Sequence, residues 1–94
     1  MIRAAGLLDL TKDINPTAFA RYLKRTGWAP FETKREQVRV FQHEDHRGFF
    51  QIRLPIDKKL SDFREATYRA VETLATVEGR PVDQVLQVLR EERI

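Results

Sequence analysis

Residues 37–54, QVRVFQHEDHRGFFQIRL, constrain the fold of this chain more than any other stretch. Side chains along a β-strand alternate between two faces, so a period of two marks a ribbon with unlike surroundings on its two sides. Val38 and Val40 point one way, and Arg39, Phe41 and His43 the other. Further on, Phe50, Ile52 and Leu54 share a side, opposite Phe49, Gln51 and Arg53. Glu44-Asp45-His46-Arg47-Gly48 lies between them, polar and closed by a glycine, and reads as a longer hairpin loop. The expected core face therefore carries Val38, Val40, Phe50, Ile52 and Leu54. The expected free face carries Arg39, Phe41, His43, Phe49, Gln51 and Arg53.

Helical signals flank the hairpin. Asn15-Pro16 suits an N-cap and first helical position, Phe19, Tyr22, Leu23 and Thr26 follow at helical spacing, and Gly27 sits where a helix stops. The other side of that helix presents Arg21, Lys24 and Arg25. Trp28 to Lys34 reads as a first strand, with Pro30 confining it to an edge, and Pro55 closes the third strand. Ser61 or Asp62 can cap a second helix, Asp62 and Glu65 standing at capping-box spacing. Its apolar stripe is Phe63, Ala66, Ala70, Val71, Leu74 and Val77. Gly79-Arg80-Pro81 ends it and begins a third, with Val82, Val85, Leu86 and Leu89 on one side. The chain thus reads as an arm over residues 1–14, in which Leu7, Leu8 and Leu10 dock or fray, followed by a single α+β domain over 15–94. The element order is α-β-β-β-α-α, with a three-stranded antiparallel sheet and helices packed on one face. The expected core is Phe19, Tyr22, Leu23, Val38, Val40, Phe50, Ile52, Leu54, Phe63, Val71 and Leu74.

The 94 residues contain no cysteine, which removes disulfides, thiolate metal sites and a cysteine nucleophile, and agrees with a reducing cytoplasm. No apolar run approaches the roughly 20 residues of a membrane span, and the first residues lack a long apolar signal core. A cytoplasmic protein without a membrane partner is the expectation. The net charge of +3 is uneven: residues 21–59 hold ten Lys and Arg against five Asp and Glu, and residues 60–94 hold five against seven. Basic clustering of this kind suits a polyanion.

Arginines interleaved with phenylalanines on a strand can stack bases and neutralise phosphates. The first expectation is accordingly a non-enzymatic module binding RNA or DNA through Arg39, Phe41, Phe49, Gln51 and Arg53, with Arg21, Lys24 and Arg25 on the first helix. The alternative is burial of those phenylalanines against a protein partner or a second copy, as a dimerisation module of a toxin–antitoxin or defence assembly. His43 and His46, beside Glu44 and Asp45, are the only visible acid–base pairings, and the bland reading is a solvated turn. No further ligands are patterned for a metal, and no cofactor is implied.

Three resemblances accompany these readings. QIRLP followed by two helices joined at EGRP resembles the ribbon-helix-helix DNA-binding proteins, which would make Gln51 and Arg53 the base readers; 55–79 is about two turns longer than that family's equivalent. YLKRTGWAPFETKREQVRVFQHEDHRG resembles the HicA-type toxins, small mRNA-cleaving proteins with a double-stranded-RNA-binding-domain-like fold. The positions of that family's glycine-serine-histidine segment read Arg35-Glu36-Gln37-Val38-Arg39, so its catalytic histidine is missing, and His43 stands where the family often has a second, non-catalytic one. That resemblance implies the fold and an RNA-related ancestry, not ribonuclease activity. FARYLKRTGW, the VFQ strand and YRAVETLATVEGRPVDQVL are similar to the N-terminal module of larger uncharacterised bacterial proteins, which implies a bacterial accessory or interaction domain.

Overall fold

Asn15 starts the first helix as its residue type requires. In the computed structural model, which describes residues 11, 14–32, 37–59 and 61–92, its side-chain oxygen accepts from the backbone N–H of Thr17 at 2.8 Å and of Ala18 at 3.4 Å. Two of the orphan donors of the first turn are thereby satisfied. Helix α1, Pro16–Arg25, follows with proline in the first turn and Lys24 and Arg25 in the last, where cations complement the helix dipole. Gly27 adopts φ +98°, which an L side chain rarely adopts, and reverses the chain so that Trp28 N–H donates to Leu23 O at 2.9 Å.

Strand β1, Ala29–Phe31, is three residues long and among the described residues pairs with β2 alone, so Pro30 does lie on an edge. Strands β2, Val38–Asp45, and β3, Gly48–Pro55, form the antiparallel hairpin, in the sheet order β1-β2-β3. Helix α2, Phe63–Glu78, ends at Gly79 with φ +68°, and α3, Val82–Glu91, follows after Pro81. The α-β-β-β-α-α order and the three-stranded antiparallel sheet are those expected. Asp62 stands at the α2 N-cap but makes no side-chain cap bond, so the capping box is not formed. Leu7, Leu8 and Leu10 of the expected arm, Lys34 at the expected end of the first strand, and Arg35 and Glu36 lie outside the described residues. Thr11 and Ile14, both within that arm, are fully buried, and Thr11 Oγ1 donates to Arg64 O at 3.2 Å.

The hairpin turn corrects one expectation with consequences for the whole sheet. Asp45 pairs with Gly48, leaving only His46 and Arg47 in the loop, not the five residues 44–48. Cross-strand partners share a face, and the register sets Arg39 opposite Leu54, Phe41 opposite Ile52 and His43 opposite Phe50. A shift of one residue exchanges the two faces of a strand. The parity of β3 is as expected, but that of β2 is reversed. Phe41, expected on the free face, is 1% exposed and packs with Ile52, Leu54, Phe19, Leu23 and Leu74. Val38 and Val40 look the other way, and Val40, flanked in its row by Phe31 and Arg53, is nevertheless only 8% exposed.

Each of the three helices among the described residues contributes to the core beneath this face: Phe19, Tyr22 and Leu23 from α1, Ala70, Val71 and Leu74 from α2, and Val85, Leu86 and Leu89 from α3. Burying side chains of this size stabilises by roughly 1.5–3 kcal/mol each. A polar clamp closes the helical layer. Tyr22 Oη donates to Glu78 Oε2 at 2.6 Å, while Arg80 Nη2 donates to Tyr22 Oη at 2.9 Å and to Glu78 Oε1 at 2.5 Å. Burial, and then the bond to Glu78, push the Tyr22 hydroxyl up to about 12 from 10.0.

A raised value means that folding disfavours the phenolate. The stabilisation is complete below pH 10, the unfolded value, and is lost as pH rises through about 12. Urea denaturation between pH 9 and 12 is expected to show wild type losing more stability than Tyr22→Phe, which has no proton to lose at this position. Parallel alkaline limbs would contradict the clamp.

Candidate functional site

Three helices on one side leave the other side of the sheet uncovered among the described residues. Its side chains fall into rows set by the register. Val38 and Pro55 form one row, Phe31, Val40 and Arg53 the next, Ala29, Gln42 and Gln51 the third, and Glu44 with Phe49 the fourth. Phe31 is 55% and Phe49 57% exposed, large values for phenylalanine. They lie two strands and four residues apart, a separation of roughly 16 Å from strand spacing and rise. Gln42 and Gln51 supply amide donors and acceptors between them.

A groove of about 630 Å³ leads from this face over β3 to α2. Phe31, Val38, Val40 and Arg53 line one side, and Asp62, Ala66, Arg69 and Thr73 the other. The floor is apolar and the rim charged, as in sites for flat organic groups that also carry a charge. Among the described residues, the guanidinium groups of Arg53 and Arg69 have no ionic partner, so both remain available to an anion.

The structure distributes the eight expected binding residues among three places. Phe49, Gln51 and Arg53 stand together on the open face. Phe41 is in the core, and Arg39 shares its face, exposed at the end of β2. Arg21, Lys24 and Arg25 are exposed on α1, whose apolar side packs beneath the sheet, so they point away from the open face. Arg25 is occupied as well: it pairs with Glu92 at 2.5 Å and lies 5.2 Å from the Tyr22 ring centroid. Phe31, Val40 and Arg69 complete the site and were not among the expected residues. The signal for Phe31 was present, since Pro30 and Phe31 must face opposite ways and proline offers little to a binding surface.

The histidines have structural surroundings. The His43 ring lies 5.2 Å from that of Trp28 and 6.5 Å from that of Phe50, and Nε2 is 3.1 Å from Asp45 Oδ2. Asp45 also accepts from Arg47, at 2.8 Å from the backbone N–H and at 2.9 Å from Nη2. These Arg47 bonds chiefly, with His43 assisting, hold the Asp45 carboxyl well below the usual carboxylate range. Arg47 in turn donates to Thr76 O at 3.1 Å and Val77 O at 2.6 Å, capping the C-terminal carbonyls of α2. The charged turn is thus a fastener between hairpin and helix. His46 is exposed in the turn. Among the described residues, no three His, Cys, Asp or Glu side chains are grouped to hold a metal ion. No helix among them is long and apolar enough to cross a membrane. In comparisons with protein-family models, with curated proteins and with solved structures, nothing matches this chain.

Proposed function

We propose that this chain is a nucleic-acid-binding module that takes a single strand across the open face of its sheet. The observation that carries the reading is the pair Phe31 and Phe49, each more than half exposed on a sheet face that no helix covers among the described residues, with Gln51 and Arg53 beside them. An exposed ring on a strand offers a π-face to an unstacked base, an interaction that tolerates any base. A duplex keeps its bases stacked and would leave both rings unused, so the chemistry favours single strands. The span of roughly 16 Å between the rings is longer than one nucleotide, and Arg53 and Arg69 can meet the phosphates along it. Ribonuclease chemistry forms no part of this reading.

Fluorescence anisotropy with labelled single-stranded RNA and DNA oligonucleotides tests it. Stacking contributes roughly 1–3 kcal/mol per base, so Phe31→Ala and Phe49→Ala are each expected to weaken binding by about five- to a hundredfold. Arg53→Ala with Arg69→Ala is expected to flatten the salt dependence by about 0.7 in the log–log slope for each phosphate that is no longer neutralised. Absence of binding to either polymer at low salt overturns the proposal. Equal affinity of the phenylalanine variants and wild type overturns the use of this face.

A further inference from the structure

We propose that two copies of this chain join their β3 strands edge to edge about a two-fold axis at Gln51, forming one six-stranded antiparallel sheet. The inference starts from backbone groups and stands apart from the nucleic-acid reading. In an antiparallel ladder, alternate residues turn their N–H and C=O toward the neighbouring strand. The bond from Ile56 N–H to Gln37 O at 3.0 Å shows which residues of β3 do so. Counting back by twos, Leu54, Ile52 and Phe50 face β2, and the backbone groups of Phe49, Gln51 and Arg53 face the other way. Among the described residues, no strand lies on that side and no backbone bond engages those groups. An open strand edge is a template for another strand.

The exposed edge is self-complementary. Pro55 has no N–H and closes the pairing register at one end, leaving Phe49 to Arg53 with Gln51 at its centre. Antiparallel pairing about Gln51 sets Gln51 against the partner's Gln51 and Phe49 against the partner's Arg53. All of these residues belong to the outward-facing backbone set, so about six N–H···O=C bonds form. On the open face each Arg53 guanidinium then lies beside the partner's Phe49 ring, a favourable cation–π neighbour. The two glutamine amides can donate and accept reciprocally on the axis.

The helix beneath leaves room for such pairing. Arg47 fixes the hairpin turn against Thr76 and Val77 of α2. Gln51 lies about 14 Å along β3 from Arg47 at ~3.4 Å per residue. The same length of helix at ~1.5 Å per residue leads back from there to about residue 67. Ala66 and Ala70 flank that level and line the groove beside β3, and Arg69, the long side chain of α2 in that lining, has to turn aside for a partner strand. Pairing would also make the two open faces continuous.

The chain has no cysteine, so a single introduced thiol reports on the axis. In the proposed pairing the two Gln51 Cα atoms are about 5.5 Å apart, inside the range a disulfide spans. The two Phe49 positions are four residues out of register, about 13 Å apart and beyond reach. Mild oxidation followed by non-reducing electrophoresis is expected to crosslink Gln51→Cys and not Phe49→Cys. Sedimentation across a concentration series is expected to show a wild-type dimer and a Gln51→Pro monomer with native circular dichroism, because proline there deletes an N–H that the hairpin does not use. A wild-type monomer at every concentration, with its edge left for an extended segment of another protein, overturns the proposal. So does a dimer that Gln51→Pro leaves intact, or equal crosslinking at positions 49 and 51.

Discussion

Phe41→Ala is expected to destabilise the protein by about 3–5 kcal/mol, the usual range for a deleted core phenylalanine. Phe49→Ala is expected to change stability by no more than about 0.5 kcal/mol, as exposed substitutions do. The two residues belong to one hairpin and occupy opposite faces of it. Phe41 lies opposite Ile52, is 1% exposed, and touches the layer built by α1 and α2. Removing its ring opens a cavity that neighbours from three elements cannot close. Phe49 lies opposite Glu44, beyond the edge of the core. A domain of this size has a total stability of roughly 5–14 kcal/mol, so the first change takes a large share of it and the second almost none. Urea denaturation with unchanged slopes measures both. Equal losses, or the reverse order, would mean that β2 sits one residue away from this register.

That contrast also marks where the sequence was legible and where it was not. Signals that act on immediate neighbours read correctly. Asn15 caps because its oxygen reaches Thr17 N–H, Gly79 ends α2 because without a Cβ it adopts φ +68° freely, and Pro55 ends β3. The parity of β3 was legible because Ile52 and Leu54 fall together with nothing bulky and aliphatic opposite them. β2 offered no such asymmetry. Val38 and Val40 stand on one side and Phe41 and His43 on the other, and either set suits a core. The central strand buries one residue of each set, Val40 and Phe41, which is why alternation cannot decide the matter. The decision rests with the turn, where Glu44 and Asp45 look like loop residues but continue the strand to a two-residue loop.

Interactions between distant residues were beyond any local pattern. Tyr22 reads as an apolar position of a helical stripe, and only the fold reveals Glu78 and Arg80 at its hydroxyl. Arg47 reads as a solvated turn residue, and only the fold brings the carbonyls of Thr76 and Val77 within its reach. The same limit shaped the site. Phe49, Gln51 and Arg53 could be grouped because they alternate on one strand. Phe31 joins them through strand pairing, of which the Pro30-Phe31 alternation gives its side but not its partner, and Arg69 through helix packing, which leaves no local trace.

Ile52→Asp and Arg53→Asp, one residue apart, are expected to separate fold from binding. Ile52 is 1% exposed and faces Phe41 across the ladder. An aspartate there loses a side-chain burial worth roughly 1.5–3 kcal/mol. It also leaves a carboxyl among apolar groups with no hydrogen-bond partner, at a further cost of several kcal/mol. The sum is comparable with the whole stability of the domain, so circular dichroism should show an unfolded chain. Arg53 projects from the opposite face into the groove mouth, beside Phe31 and Val40 in its row. Aspartate at that position exchanges one exposed charge for another and should leave the melting curve within a few degrees of wild type. It reverses the sign of the charge that would meet a phosphate, so oligonucleotide binding should fall more than with Arg53→Ala, and the loss should shrink as salt screens the repulsion. A folded Arg53→Asp protein that still bound as wild type does would remove this row from the interface, whereas a folded Ile52→Asp protein would remove the core on which the open face is built.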